Sequence, residues 1–204
     1  LTEAAAENDE ALMELYFEKG VLTQDELRSG LKLGLAKRDL IPVFCASGKR
    51  DIGAKRLMEF IINVAPGPLK APNFVTVDGR EIEPDSNGPT ALFVFKTTVE
   101  PHLGEVTYFR VISGKVTEGM ELVNSKTGNK EKISQLFAVA GKNRVKVTEM
   151  MAGDIGCTVK LKGTRTNQTL STPGSNIEID PIRFPEPRYR VAVKAVKTGE
   201  DEKL

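Results

Sequence analysis

Few side chains in this sequence can do covalent or proton-transfer chemistry, and their spacing argues against most of it. The one histidine, His102, lies in the turn Glu100-Pro-His-Leu-Gly104. A lone imidazole there removes His-rich metal sites and most Ser–His or Cys–His nucleophile pairs. The two cysteines, Cys45 and Cys157, fall at expected inward strand positions, where a thiol acts as a small hydrophobe. Two such residues make neither a disulfide framework nor a cysteine metal cage, which points to a reducing compartment. The carboxylate pairs Glu81/Glu83 and Asp201/Glu202 sit in polar stretches and suggest no acid/base couple. Phosphate chemistry fares no better. Gly48-Lys49, Gly114-Lys115 and Gly141-Lys142 are followed by Arg, Val and Asn, so no G-x-x-x-x-G-K-[ST] loop is spelled. Asp85-Ser-Asn-Gly88 matches D-x-x-G only inside a proline-flanked turn.

Binding chemistry is better supplied. Lys126, Lys130, Lys132, Lys142, Arg144 and Lys146 share the stretch 123–146 with a single acid, Glu131. Residues 157–170 add Lys160, Lys162 and Arg165 with no acid at all. The whole chain carries 29 basic and 28 acidic residues, so the asymmetry is local and one side should be electropositive. These residues are either solvated strand faces or a surface for phosphates. On the second reading, burial of Val145 and Val147 would turn Arg144 and Lys146 outward. Lys160 and Lys162 would do the same beside Thr158, with Arg165 in the next loop. Basic residues without interleaved exposed aromatics favour backbone contact over base stacking.

The elements that carry these residues can be read from pattern. A chain of 204 residues makes one large domain or two small ones. Its 40% hydrophobic and 28% charged content is that of a folded globular protein. The longest apolar run, Leu40–Ala46, is far short of the ~18 residues that suggest a membrane span. Residues 1–66 read as helical with one strand. A helix is expected over Glu3–Phe17, and a second opens at the capping box Thr23-Gln-Asp-Glu26, with Leu27, Leu31 and Leu35 at four-residue spacing. Leu40–Ala46 reads as a strand buried on both faces, and Asp51 as the cap of a third helix bearing Leu57, Met58, Ile61 and Ile62. Residues 67–181 change character: Thr90–Thr97, Val106–Ser113, Met120–Asn124, Glu131–Phe137, Arg144–Thr148, Ile155–Lys162 and Asn176–Ile179 read as short strands of a sandwich or barrel. From Ile155 on, Cys157, Val159 and Leu161 should share its face, opposite Thr158, Lys160 and Lys162. Residues 182–204 offer a proline-rich stretch, a strand over Tyr189–Val196 and a helix start at Thr198–Asp201. The bare start at Leu1 and that late cap suggest an excised piece of a longer protein.

Several segments together resemble elongation factor G, the translocation GTPase family. Ile41-Pro-Val-Phe-Cys-Ala-Ser47 is similar to that family's last nucleotide-site strand and fifth guanine-nucleotide motif. Asp51–Pro68 resembles the closing helix of its GTPase domain and the linker that leaves it. Gly88-Pro-Thr-Ala-Leu-Phe-Val-Phe-Lys96, Gly104–Gly114, Ala152-Gly-Asp-Ile-Gly156 and Leu161–Leu170 resemble strands of its second domain. Ile182–Val196, with Pro185-Glu-Pro187, is similar to the start of its third. Departures are Gly48 where the family usually has Ala, Thr164-Arg-Thr-Asn-Gln168 for Thr-x-Thr-Gly-Asp, and a Gln135–Lys142 stretch closer to divergent bacterial paralogues.

The resemblance implies a mainly β fold with an α/β remnant. A translation-factor Greek-key barrel of about six or seven strands (67–181) would follow the end of a GTPase domain (1–66) and precede the start of a third domain (182–204). It further implies a cytoplasmic parent that binds GTP and Mg²⁺, hydrolyses GTP on the ribosome and moves tRNA and mRNA. The barrel would contact small-subunit ribosomal RNA, and no membrane is involved. Of the nucleotide site only Ser47 and Gly48 remain in this chain, so no cofactor is expected for it and its catalytic set is empty. Tetracycline-protection and release-factor GTPases share the barrel, and a stand-alone RNA- or protein-binding module is the alternative of another class.

Overall fold

The computed structural model describes residues 1–70, 72–100, 103–141 and 143–196. His102, Lys142 and the helix start at Thr198–Asp201 therefore lie outside the described residues.

The first expected helix forms as two. Helix α1 covers Thr2–Ala6, and α2 covers Glu10–Lys19 after Asp9, whose carboxylate caps it by accepting the Leu12 N–H at 3.1 Å. A competent N-cap inside a helical pattern starts a new helix because its own backbone is extended. Helix α3, Gln24–Lys37, opens on the expected capping box. The Thr23 N–H donates to Glu26 Oε2 at 2.7 Å, and the Glu26 N–H donates to Thr23 Oγ1 at 3.3 Å. Its Leu31 is buried against Ala5 and Val64, with Leu27, Leu35, Leu40 and Phe60 packed around them.

Two expectations in this region fail. Leu40–Ala46 forms no strand, and Ile41 and Val43 are 85% and 89% exposed. No described strand lies beside it, and an extended segment without a ladder partner cannot bury both faces. Cys45, expected inside, is consequently exposed. Helix α4, Ala54–Asn63, is capped at Gly53 and not by Asp51, which takes a left-handed conformation just ahead of it. Phe60 packs inward from α4, whereas Met58, Ile61 and Ile62 face solvent.

The β region is built on one antiparallel sheet of eight strands, in the order β7-β6-β12-β3-β4-β11-β8-β9. In chain order the strands are β1 (Phe74–Val75), β2 (Glu81–Ile82), β3 (Ala91–Glu100), β4 (Gly104–Ser113), β5 (Lys115–Thr117), β6 (Glu121–Asn124), β7 (Lys130–Lys132), β8 (Leu136–Ala140), β9 (Asn143–Val147), β10 (Glu149–Met151), β11 (Ile155–Val159) and β12 (Gln168–Ser171). The sheet curls around Leu92, Val94, Phe109, Val111, Leu122, Leu136 and Leu170, and the separate β5–β10 pair closes it with Val116 and Met150. This is a filled barrel: Leu92 and Val94 of β3 face its core, while Ala91 and Phe93 between and beside them face a second buried cluster outside it. Outside it, the β1–β2 pair and Ile177 and Ile179 cover Phe93 and Ile112.

The expected run Glu131–Phe137 splits into β7 and β8, and β12 joins strands that the pattern did not include. Asn176–Ile179 contributes a bridge from Ile179 to Thr76 and no strand. The alternation expected through Lys162 stops at Val159, because Lys160 has φ +63 and leaves the strand. Thr158, expected outside, is fully buried, and Ile155, expected inside, is 54% exposed. No strand forms over Tyr189–Val196, where Tyr189, Val191 and Val193 are exposed. As with Leu40–Ala46, no described strand offers it a ladder.

Candidate nucleic-acid interface

The loop between β11 and β12 is tied down by one buried acid. Glu131, only 2% exposed on β7, accepts the N–H groups of Lys162 and Gly163, each at 2.9 Å, and the Thr164 hydroxyl at 3.0 Å. Beside it the buried Asn124 amide donates to Thr164 Oγ1 at 3.2 Å and to Gln168 Oε1 at 2.9 Å. Asn124 Oδ1 accepts from the Lys126 and Thr127 N–H groups, closing the β6–β7 turn. Gln168 Oε1 also accepts the Arg165 N–H at 2.7 Å. Hydrogen bonds to a charged acceptor such as Glu131 contribute about 1.5–3 kcal/mol each, so the loop has a defined shape.

The five basic candidates divide by how their charges are used. Lys160 and Lys162 flank Leu161, whose side chain enters the core, so both ammonium groups point to solvent. Neither has an ion-pair partner among the described residues. Arg165 pairs with Glu105 at 2.6 Å and keeps a 62% exposed side chain. Lys146 on edge strand β9 pairs with Glu118 at 2.9 Å. Arg144 is turned inward: its guanidinium donates to Glu100 and, at 2.9 Å, to the Tyr108 hydroxyl. Expected to bury Val145 and expose Arg144, the strand does the reverse, with Val145 61% exposed and the Arg144 side chain 20% exposed. Arg144 pairs with Val139 of β8, and its guanidinium reaches its partners on β3 and β4 along the face of the sheet that carries Tyr108, Phe137, Val139 and Cys157.

Glu100 and Glu105 belong to the paired strands β3 and β4, so Arg144 and Arg165 each hold an acid of that hairpin. The Arg144 hydrogen bond holds the Glu100 carboxyl below the usual glutamate range, helped by the Tyr108 hydroxyl. The Arg144 guanidinium is pushed up by the same contacts, Glu100 first. Lys96 lies over the Tyr108 ring at 5.7 Å, and burial pushes the nearby Cys157 thiol up. Glu131, Asn124 and Gln168 were not among the expected site residues. The signal for Glu131 was present, as the single acid in a basic run; nothing marked Asn124.

Ser47 and Gly48 lie in an exposed turn. The Ser47 N–H donates to the Ile52 carbonyl at 2.9 Å, and its carbonyl accepts from Arg50 and Ile52. Ser47 thus has no free backbone group, and only Gly48, whose Cβ position meets nothing within 4 Å, could approach a base. Among the described residues no group of three or more His, Cys, Asp or Glu side chains could hold a metal ion. No helix among the described residues is long and apolar enough to cross a membrane.

A solved structure from Thermus thermophilus is similar at 27% identity with a TM-score of 0.69; the match covers 92% of this chain and 26% of that one. The chain thus spans about a quarter of the protein it matches. Residues 89–173, from just before β3 to just after β12, match the family model for elongation factor G domain 2, to which the barrel is therefore similar.

Proposed function

We propose that this chain is part of an elongation factor G-like translational GTPase, and that its barrel docks on the RNA of the small ribosomal subunit through the β11–β12 loop. The observation that carries the reading is the family match over the barrel together with two exposed, unpaired lysines on a loop whose neighbouring acid is buried. Glu131 directs its charge at backbone N–H groups, so Lys160 and Lys162 face solvent without local neutralisation. Arg165 and Lys146, paired but exposed, can exchange a carboxylate for a phosphate at the margin of the contact. Arg144 is engaged with Glu100 and Tyr108 and belongs to the scaffold of the β3–β4 hairpin. Phosphate recognition of this type releases counterions and reads no sequence.

On this reading GTP and Mg²⁺ are held and hydrolysed by parts of the longer cytoplasmic parent, and Ser47-Gly48 contributes at most a backbone contact to guanine. Transfer RNA and messenger RNA are reached only through the parent. The test is the double variant K160E/K162E in the parent, with binding to small subunits followed by pelleting across a salt series. Binding should weaken, and the log–log salt slope should flatten by roughly 0.7–0.9 for each phosphate no longer engaged. Unchanged affinity at low salt in a folded variant would remove the loop from the interface. GTPase activity of the parent stimulated by ribosomes, with no translocation, would move it to the release-factor or tetracycline-protection branch.

A further inference from the structure

Where the helical region meets the barrel, a cavity of about 390 Å³ is lined by Arg38, Asn73, Phe74, Arg110, Ile179 and Asp180, among others. Arg38 closes α3 in a left-handed conformation at φ +66, and Arg110 stands on β4, on the outer face of the barrel. The Arg110 guanidinium lies on the Phe74 ring at 5.0 Å, which fixes the plane of its donors. Its Nε is buried with no hydrogen-bond partner. Neither arginine has a carboxylate within ion-pair distance among the described residues. Asn73 is already engaged, since its amide donates to Glu81 at 3.0 Å.

An oriented guanidinium with a buried, unused N–H is an incomplete arrangement, because such a donor costs free energy until an acceptor reaches it. We propose that this cavity is a binding site for a small phosphoryl anion, a free phosphate or the terminal phosphate of a phosphomonoester, held between Arg38 and Arg110. Two forked donors offer more N–H groups than the two oxygens of a carboxylate can accept, whereas a phosphomonoester presents three terminal oxygens and free phosphate four. The Asp180 carboxylate at the rim disfavours the anion and sets an upper limit on affinity. A bound phosphate joins the end of α3 to β4, and so couples the helical region to the barrel.

The experiment is calorimetric titration of the intact chain with inorganic phosphate at constant ionic strength, repeated on R110Q, R38N and D180N. Asparagine keeps a residue that tolerates the left-handed conformation at position 38. Saturable binding that weakens roughly tenfold or more in R110Q and R38N is expected, since each loses a charge-assisted hydrogen bond. D180N should bind more tightly, and that variant keeps the test decisive if R110Q does not fold. Equal binding in the unsubstituted chain, R38N and D180N would overturn the proposal. So would a site that a single-stranded oligonucleotide occupies and inorganic phosphate does not.

Discussion

Glu100 ends β3, yet its carboxylate is bound by a guanidinium from β9, the far edge of the sheet, and by the Tyr108 hydroxyl. Because Arg144 keeps the folded-state pKa of Glu100 below the ordinary value, the unfolded chain takes up the proton first as pH falls. The contact therefore contributes its full stability above the unfolded value of about 4.3 and loses it as pH drops through the lower folded value. Thermal stability of the parent should fall more steeply between about pH 5 and pH 3 than that of E100Q, which has no proton to bind there. Parallel curves for the two proteins would show that the Arg144 contact contributes nothing to folding. The side chains that make this contact are each visible in the sequence. Their meeting is not, because Arg144 and Glu100 are 44 positions apart and only the curl of the sheet brings them together.

At the scale of elements, the β4–β5 corner depends on a glycine. Gly114 has φ +71, and a Cβ there would sit 2.6 Å from both N and Cα of Thr90 and 2.7 Å from the Gly88 carbonyl oxygen. Those are backbone atoms with no rotamer to yield, so G114A should destabilise the barrel by about 3 kcal/mol or more, read from denaturant midpoints. An unchanged midpoint would mean the corner can open without loss. Much of the barrel is legible at this scale, since strands such as β3, β4 and β6 announce themselves by β-branched and apolar runs between turn residues. The capping box of α3 is equally plain. Leu40–Ala46 and Tyr189–Val196 fail because their patterns specify strands but not the neighbours a strand needs. The lysines at 160 and 162 are legible as exposed, though for a different reason than alternation: the chain turns at Lys160, and Glu131 fixes the backbone of Lys162 and Gly163.

Taken as a whole, the molecule concentrates its buried apolar side chains in the barrel, while Ile41, Val43, Met58, Ile61, Ile62, Phe184, Tyr189, Val191 and Val193 are exposed on the flanks. Backbone hydrogen bonding shows the same division, so local opening should be easiest over 39–52 and 181–196. Limited proteolysis should cut there first and leave a stable fragment that includes 89–173. Early cleavage within β3, β4 or β11 would contradict that order.

The position of β12 also governs when the barrel can exist. Among the described residues it is the last strand, yet it lies between β6 and β3, with its register set against Leu92 and Asn124. The Thr90 N–H donates to the Thr172 hydroxyl, 82 positions away. During synthesis, therefore, β3 and β4 can pair as a hairpin, but β3 keeps an open edge until the last stretch emerges. The barrel is a structure that its own chain completes from the end backwards, and a polypeptide stopped just before Gln168 would hold most of the parts and no barrel.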